Sequence, residues 1–146
     1  MYARFINLSN RFITYLVYTV YPIVLILLVY NRDPRIWRVL LAPSISFVLV
    51  SIFRKTVNAP RPYEVNGKEP IIKKDTKGKS FPSRHVFSVF VIASTLYFIS
   101  APLGLLLIFM GILLAILRVI GGVHFPRDVI AGAIVGLLSG FLGFYL

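Results

Sequence analysis

At 146 residues the chain is long enough for one domain and no more. It is 58% hydrophobic with a mean hydropathy of +0.83, too apolar for a water-soluble domain, in which roughly half of residues are apolar. Only 14% of residues are charged yet the net charge is +11. That balance excludes a soluble acid-binding module, points to a membrane protein facing anionic headgroups or phosphate, and leaves no nucleic acid as an expected partner.

The first apolar run, 12–30, approaches the ~20 residues that cross a bilayer and is too long for a signal-peptide core. Pro22 lies inside it. The second, third and fourth runs are 39–53, 86–100 and 103–117, with Pro43 in or near the start of the second. Their apolar cores give roughly 22 Å of helix each, short of the ~30 Å hydrocarbon core. Either their polar flanks enter the membrane or they are helices buried in a soluble bundle. Too few polar faces exist to coat such helices in water, so the first reading is adopted. The last run, 129–146, carries Gly132, Gly136 and Gly140 on one helix face. These glycines read as close packing inside the bundle or, more sharply, as the contact of a homo-oligomer. The expected fold class is all-α. It is a single domain over 1–146, a polytopic membrane helix bundle of about five transmembrane helices with the active site at one membrane face.

The long polar connection, 62–80, holds Lys68, Lys73, Lys74, Lys77 and Lys79 against Glu64, Glu69 and Asp75. It reads as a solvated loop, or as a lid near the headgroups with Ile71 and Ile72 dipping into the membrane interface. Arg54, Lys55, His85, Arg118, His124 and Asp128 each lie just beyond an apolar run. Counting spans brings all of them to one membrane face, where ionisable residues default to a functional reading.

Those residues suit phosphoryl transfer. Arg presents a planar fork that matches phosphate oxygens, and Arg54, Arg61 and Arg118 can form a cradle. Ser83 and its neighbouring amides open the third helix, whose N-terminus favours an anion. The chain has no cysteine, so no thiolate chemistry is available, and no metal-binding cluster or cofactor motif stands out. Its only histidines are His85 and His124. Pro126 suits the first turn of the last helix, from which Asp128 can turn back to His124. Asp128 would then fix the imidazole tautomer and leave the other nitrogen free to attack. His85 remains as the general acid. Taken singly, such residues are commonly helix caps and headgroup anchors; the joint pattern carries the reading.

The order of these residues resembles the type-2 phosphatidic acid phosphatase and vanadium haloperoxidase superfamily. Its three signatures are matched here by Arg54…Arg61-Pro62, Pro82-Ser83-Arg84-His85 and Leu117-Arg118…His124…Asp128, across about 39–146. The resemblance implies a metal-independent lipid phosphatase working through a phosphohistidine at His124. In it His85 protonates the leaving group, Asp128 orients His124, and Arg54, Arg61, Ser83 and Arg118 hold phosphate. Small bacterial members act on undecaprenyl diphosphate, phosphatidylglycerol phosphate or phosphatidate. The family lysine is Arg54 here, with adjacent Lys55 as a weaker substitute; the family serine is Leu117 and the family glycine is Arg84. A positive φ at Arg84 would strain it by roughly 1 kcal/mol or more. Otherwise Arg84 gains a guanidinium that reaches a second phosphate or headgroup, or anchors outward. These departures keep open a non-catalytic relative that binds lipid phosphate or scaffolds partners. A soluble haloperoxidase is disfavoured by the apolar spans. All but Arg32, Arg35 and Arg38 of the 16 Lys and Arg lie on the active-site side. Counted naively that faces the cytoplasm. The arginines kept there for chemistry are poor topology guides, however, and the expectation leans to an extracytoplasmic site in a bacterial plasma membrane.

Overall fold

The computed structural model describes residues 1–145; Leu146, the end of the last apolar run, lies outside the described residues. Those residues form six helices and no strand. They are α1 (Tyr2–Tyr30), α2 (Ile36–Val57), α3 (Pro62–Asn66), α4 (Arg84–Tyr97), α5 (Ala101–Ile120) and α6 (Pro126–Tyr145). Four segments are long and apolar enough to cross a membrane, beginning at Tyr2, Ile36, Ala101 and Pro126.

The polar flanks do enter the helices. α2 and α5 extend past their apolar cores to 22 and 20 residues, and α1 begins ten residues before its apolar run. Pro22 and Pro43 lie inside α1 and α2.

The departure from five full spans is α4. It has 14 residues, ~21 Å of helix. Every residue from Val86 to Leu96 is buried, so it is the central post of the bundle. α6 is its most extensive partner. Gly136 allows that approach: a Cβ there would lie 2.7 Å from the Phe87 carbonyl oxygen and 2.9 Å from the Val91 amide nitrogen. Gly132 and Gly140 likewise abut Ser83 and Ser94, so the glycine face packs inside the bundle. Outward, Phe5, Phe12, Ile26, Trp37, Ile52 and Phe109 are exposed, an apolar exterior matched to lipid tails.

The ends of α2 and α5 and the starts of α1, α4 and α6 gather at one end of the bundle. Segment 67–80 folds over that end. Ile72 donates its amide to the Gly121 carbonyl at 3.1 Å and buries its side chain against Ile6 and Val123. The expected dip of Ile71 and Ile72 into the membrane interface is thus replaced, for Ile72, by packing within the protein.

Candidate active site

His124 sits in the short connection between α5 and α6. Gly122, at φ +77°, makes the turn that an L side chain resists. Pro126 then starts α6, and the Asp128 carboxylate reaches back to accept the Phe125 amide at 2.8 Å. Asp128 is therefore a helix cap as well as a partner of His124, whose Nδ1 lies 3.4 Å from Asp128 Oδ2.

Ser80, which the sequence reading did not single out, completes this group. Its hydroxyl is fully buried, 2.5 Å from Asp128 Oδ2 and 3.4 Å from His124 Nδ1. A hydroxyl has one proton, and the carboxylate can only accept. The proton therefore goes to Asp128, and His124 Nδ1 must be the donor toward Ser80 and Asp128. That assignment leaves Nε2 with its lone pair. Burial pushes the His124 pKa down to about 4 against the upward pull of the Asp128 hydrogen bond, so the ring is neutral at pH 7.

Arg118 and Arg61 lie within electrostatic reach of this imidazole, and Arg54 within reach of Arg61 and Asp128. Arg54, Arg61 and Arg118 are 5%, 1% and 2% exposed. Arg61 donates from Nε to the Gly78 carbonyl at 2.9 Å and from Nη1 to the Val123 carbonyl at 3.2 Å. The Lys79 carbonyl accepts from both Arg54 and Arg61, and Lys79 holds φ +55° there. Among the described residues the Arg118 guanidinium makes one hydrogen bond, Nη1 to Asn10 Oδ1 at 3.4 Å. Its Nε and Nη2, and Nε of Arg54, are buried with no hydrogen-bond partner among the described residues. Among the described residues Asp128 is the one buried carboxylate, against three buried guanidiniums. Burying unpaired charge costs several kcal/mol unless an opposite charge compensates, so the arrangement suits an anion.

His85, in the first turn of α4, is half-buried among Arg118, Lys74, His124 and Arg84. Ser83 is the N-cap of α4: its hydroxyl accepts the Val86 amide at 3.4 Å, and its own amide donates to the Asp128 carbonyl at 2.9 Å. That backbone bond ties the His85 and His124 segments together.

Two predicted residues stand apart from the buried cluster. Lys55 is exposed, about 100° round α2 from Arg54. Arg84 is exposed on the rim, its guanidinium 5.5 Å from the Phe47 ring centroid. Its backbone is ordinary helix without positive φ, so the strain considered from sequence is absent.

The sequence reading also passed over Asn10, and named Lys74 only as one of the loop's lysines. Asn10 lay before the first apolar run with nothing local to mark it. Lys74 is half-buried while Lys73, Asp75, Thr76 and Lys77 are exposed. Burial, then repulsion from Arg118, Arg61, Arg54 and Arg84, pushes its pKa down to about 8. Among the described residues no three His, Cys, Asp or Glu side chains gather as a metal-ligand set.

Comparison with known proteins agrees with this geometry. Residues 35–146 match the PAP2 superfamily. The bacitracin transport permease protein BcrC of Bacillus licheniformis is 36% identical over 66 residues, 45% of this chain and 32% of that protein. Undecaprenyl-diphosphatase BcrC of Bacillus subtilis (strain 168) is 31% identical over 85 residues, 58% of this chain and 44% of that protein. The matches thus span less than half the length of either relative. The crystal structure of Aquifex aeolicus LpxE superposes with a TM-score of 0.77 at 27% identity, covering 99% of this chain and 93% of that one. A transmembrane PAP2-type phosphatidylglycerolphosphate phosphatase from Bacillus subtilis superposes with a TM-score of 0.74 at 25% identity, covering 97% and 76%.

Proposed function

Because this chain belongs to the PAP2 superfamily, we propose that it is a metal-independent lipid phosphatase that hydrolyses the terminal phosphate of a lipid mono- or diphosphate. The observation that carries the reading is the buried His124, its Nδ1 turned to Ser80 and Asp128, at one end of a bundle with three buried guanidiniums, two of which, Arg54 and Arg118, have donors left unsatisfied among the described residues. In the first step Nε2 forms a bond to phosphorus as the bond to the leaving oxygen breaks, and His85 delivers a proton to that oxygen. Arg54, Arg61 and Arg118 neutralise charge on the equatorial oxygens. Asp128, with Ser80, stabilises the ring while Nδ1–H becomes part of a cation. In the second step His85 takes a proton from water, which attacks the phosphohistidine, releases phosphate and restores His124.

The substrate class is supported by the setting and by the relatives. The cluster lies at one end of an apolar bundle, level with headgroups when the tails lie among the helices. The names of the similar proteins include an undecaprenyl diphosphatase and a phosphatidylglycerolphosphate phosphatase. Undecaprenyl diphosphate, phosphatidylglycerol phosphate and phosphatidate are the substrates to test. The chain is integral to a membrane. For a bacterial plasma membrane we propose an outward-facing site, with Arg32, Arg35 and Arg38 on the cytoplasmic side, where short loops collect cations. A single cysteine at exposed Lys68, labelled in intact cells, tests that orientation; labelling only after lysis reverses it.

The purified protein in detergent should release phosphate from at least one of these lipids. His124→Ala should lose the activity by about 10³-fold or more, as expected for removing a nucleophile. A well-folded protein inert on all of them, with phosphate-bearing lipid still bound, would instead favour a non-catalytic lipid-phosphate binder.

A further inference from the structure

Segment 71–80 is tied down on both sides of Lys74. On the near side, Asn7 Nδ2 donates to the Ile71 carbonyl at 2.9 Å, and Ile72 is bonded to Gly121 and buried. On the far side, the Tyr63 hydroxyl donates to the Thr76 carbonyl. The Gly78 amide donates to Glu64 Oε2 at 2.9 Å, and the Ser80 amide donates to the Ala59 carbonyl at 3.1 Å. The segment is a strap with fixed ends, and Lys74 lies between them.

A lysine on a polar loop normally extends into solvent, as Lys73 and Lys77 do. Lys74 instead is half-buried and sits within electrostatic reach of Arg118, Arg61, Arg54 and Arg84, with no hydrogen-bonded carboxylate among the described residues. Lysine among like charges is unfavourable unless an anion joins them. The cradle around His124 already has three guanidiniums for the transferred phosphate. A further cation on the strap, within electrostatic reach of His85, the proposed proton donor, would add charge on the leaving-group side.

We infer that Lys74 is a specificity-determining residue that holds the second phosphate of a lipid diphosphate, the one that leaves still attached to the lipid. The inference rests on the phosphatase reading above. In the first step the leaving group would be a lipid monophosphate. Lys74 would stabilise the negative charge that this phosphate gains as the bridging P–O bond breaks, while His85 supplies its proton. A monophosphate substrate has an alkoxide leaving group and nothing for Lys74 to hold.

The test compares a lipid diphosphate with a lipid monophosphate of the same chain. In Lys74→Met the diphosphate-to-monophosphate ratio of kcat/KM should fall roughly 10- to 100-fold, the range for losing one charge-assisted contact. Lys74→Arg should restore most of it. Lys73→Met, exposed one residue away, should leave the ratio unchanged. In parallel, inorganic pyrophosphate and inorganic phosphate are titrated into the detergent-solubilised protein by calorimetry. Wild type should prefer pyrophosphate, and Lys74→Met should abolish the preference. An unchanged ratio, an equal effect of Lys73→Met, or a wild type active on monophosphates alone overturns the inference. A wild type without phosphatase activity removes the parent reading, yet the pyrophosphate titration still decides whether Lys74 binds a second phosphate.

Discussion

Replacing Ser80 by Ala removes one hydroxyl from the centre of the site and leaves every charged group in place. That hydroxyl donates to Asp128 Oδ2 at 2.5 Å and accepts from His124 Nδ1 at 3.4 Å, with no solvent access. A hydrogen bond to a charged group contributes about 1.5–3 kcal/mol. Asp128 would retain the Phe125 amide at 2.8 Å and His124 at 3.4 Å, so it is weakened rather than orphaned. The hydroxyl acts through His124 and not on the substrate. Its loss should therefore appear when the ring becomes cationic, lowering kcat about 10- to 100-fold with KM within about threefold of wild type. The assay is phosphate release from a short-chain lipid phosphate in micelles, with a thermal melt to verify folding. Asp128→Asn should be more damaging, because it also removes the charge. Combining the two changes should cost less than their sum, with a coupling of about 0.5–3 kcal/mol. A folded Ser80→Ala enzyme with kcat within about twofold of wild type, or strict additivity with Asp128→Asn, would refute the proposed hydrogen-bond order.

Titration of His124 provides a second check. Its folded pKa of about 4 lies below the unfolded value of 6.5, so the unfolded chain binds more protons between them. This residue therefore withdraws stability as pH falls from 6.5 through 4 and has no such effect above 6.5. The ring resonances, assigned against a His85 variant, should not move between pH 8 and about 5.5; a midpoint near the ordinary histidine value would contradict the burial argument. Gly136→Val should destabilise the protein by about 3 kcal/mol, the upper range for overpacking, measured by unfolding in mild detergent. An unchanged melt would mean that α4 and α6 separate easily. Asn10→Leu should deprive Arg118 of its protein partner and lower kcat/KM about fivefold, equivalent to ~1 kcal/mol. No change would make Asn10 a passive α1 residue.

The gross architecture was legible because a bilayer leaves few alternatives: long apolar runs become helices, and polar residues at their ends collect at the two faces. Counting spans brought Arg54, Lys55, His85, Arg118, His124 and Asp128 to one end, although Lys55 faces away from the buried cluster and Arg61 entered through its motif instead. What stayed hidden depends on tertiary contact. The first turns of α1 carry Arg4, Asn7, Asn10 and Arg11, which broke the apolar pattern. Asn7 and Asn10 bond to Ile71 and Arg118, partners 64 and 108 residues away. Ser80 looked like an ordinary loop serine, since its partners are 44 and 48 residues distant. Lys74 is one of several lysines of similar local composition, and only the strap's fixed ends distinguish it. The shortness of α4 is likewise a matter of packing: surrounded by other helices, it need not meet lipid along its length. Arg84 tested a rule borrowed from a glycine, and helical geometry at the start of α4 removes the need for one.

The central claim is that phosphate passes through His124 before it reaches water. The stereochemical course at phosphorus tests this without requiring an intermediate to accumulate. A lipid phosphorothioate made chiral by oxygen isotopes is hydrolysed in isotopically labelled water, and the configuration of the released thiophosphate is determined. Two successive in-line displacements predict retention of configuration. Inversion would mean that water attacks the substrate directly, and His124 would then be no nucleophile.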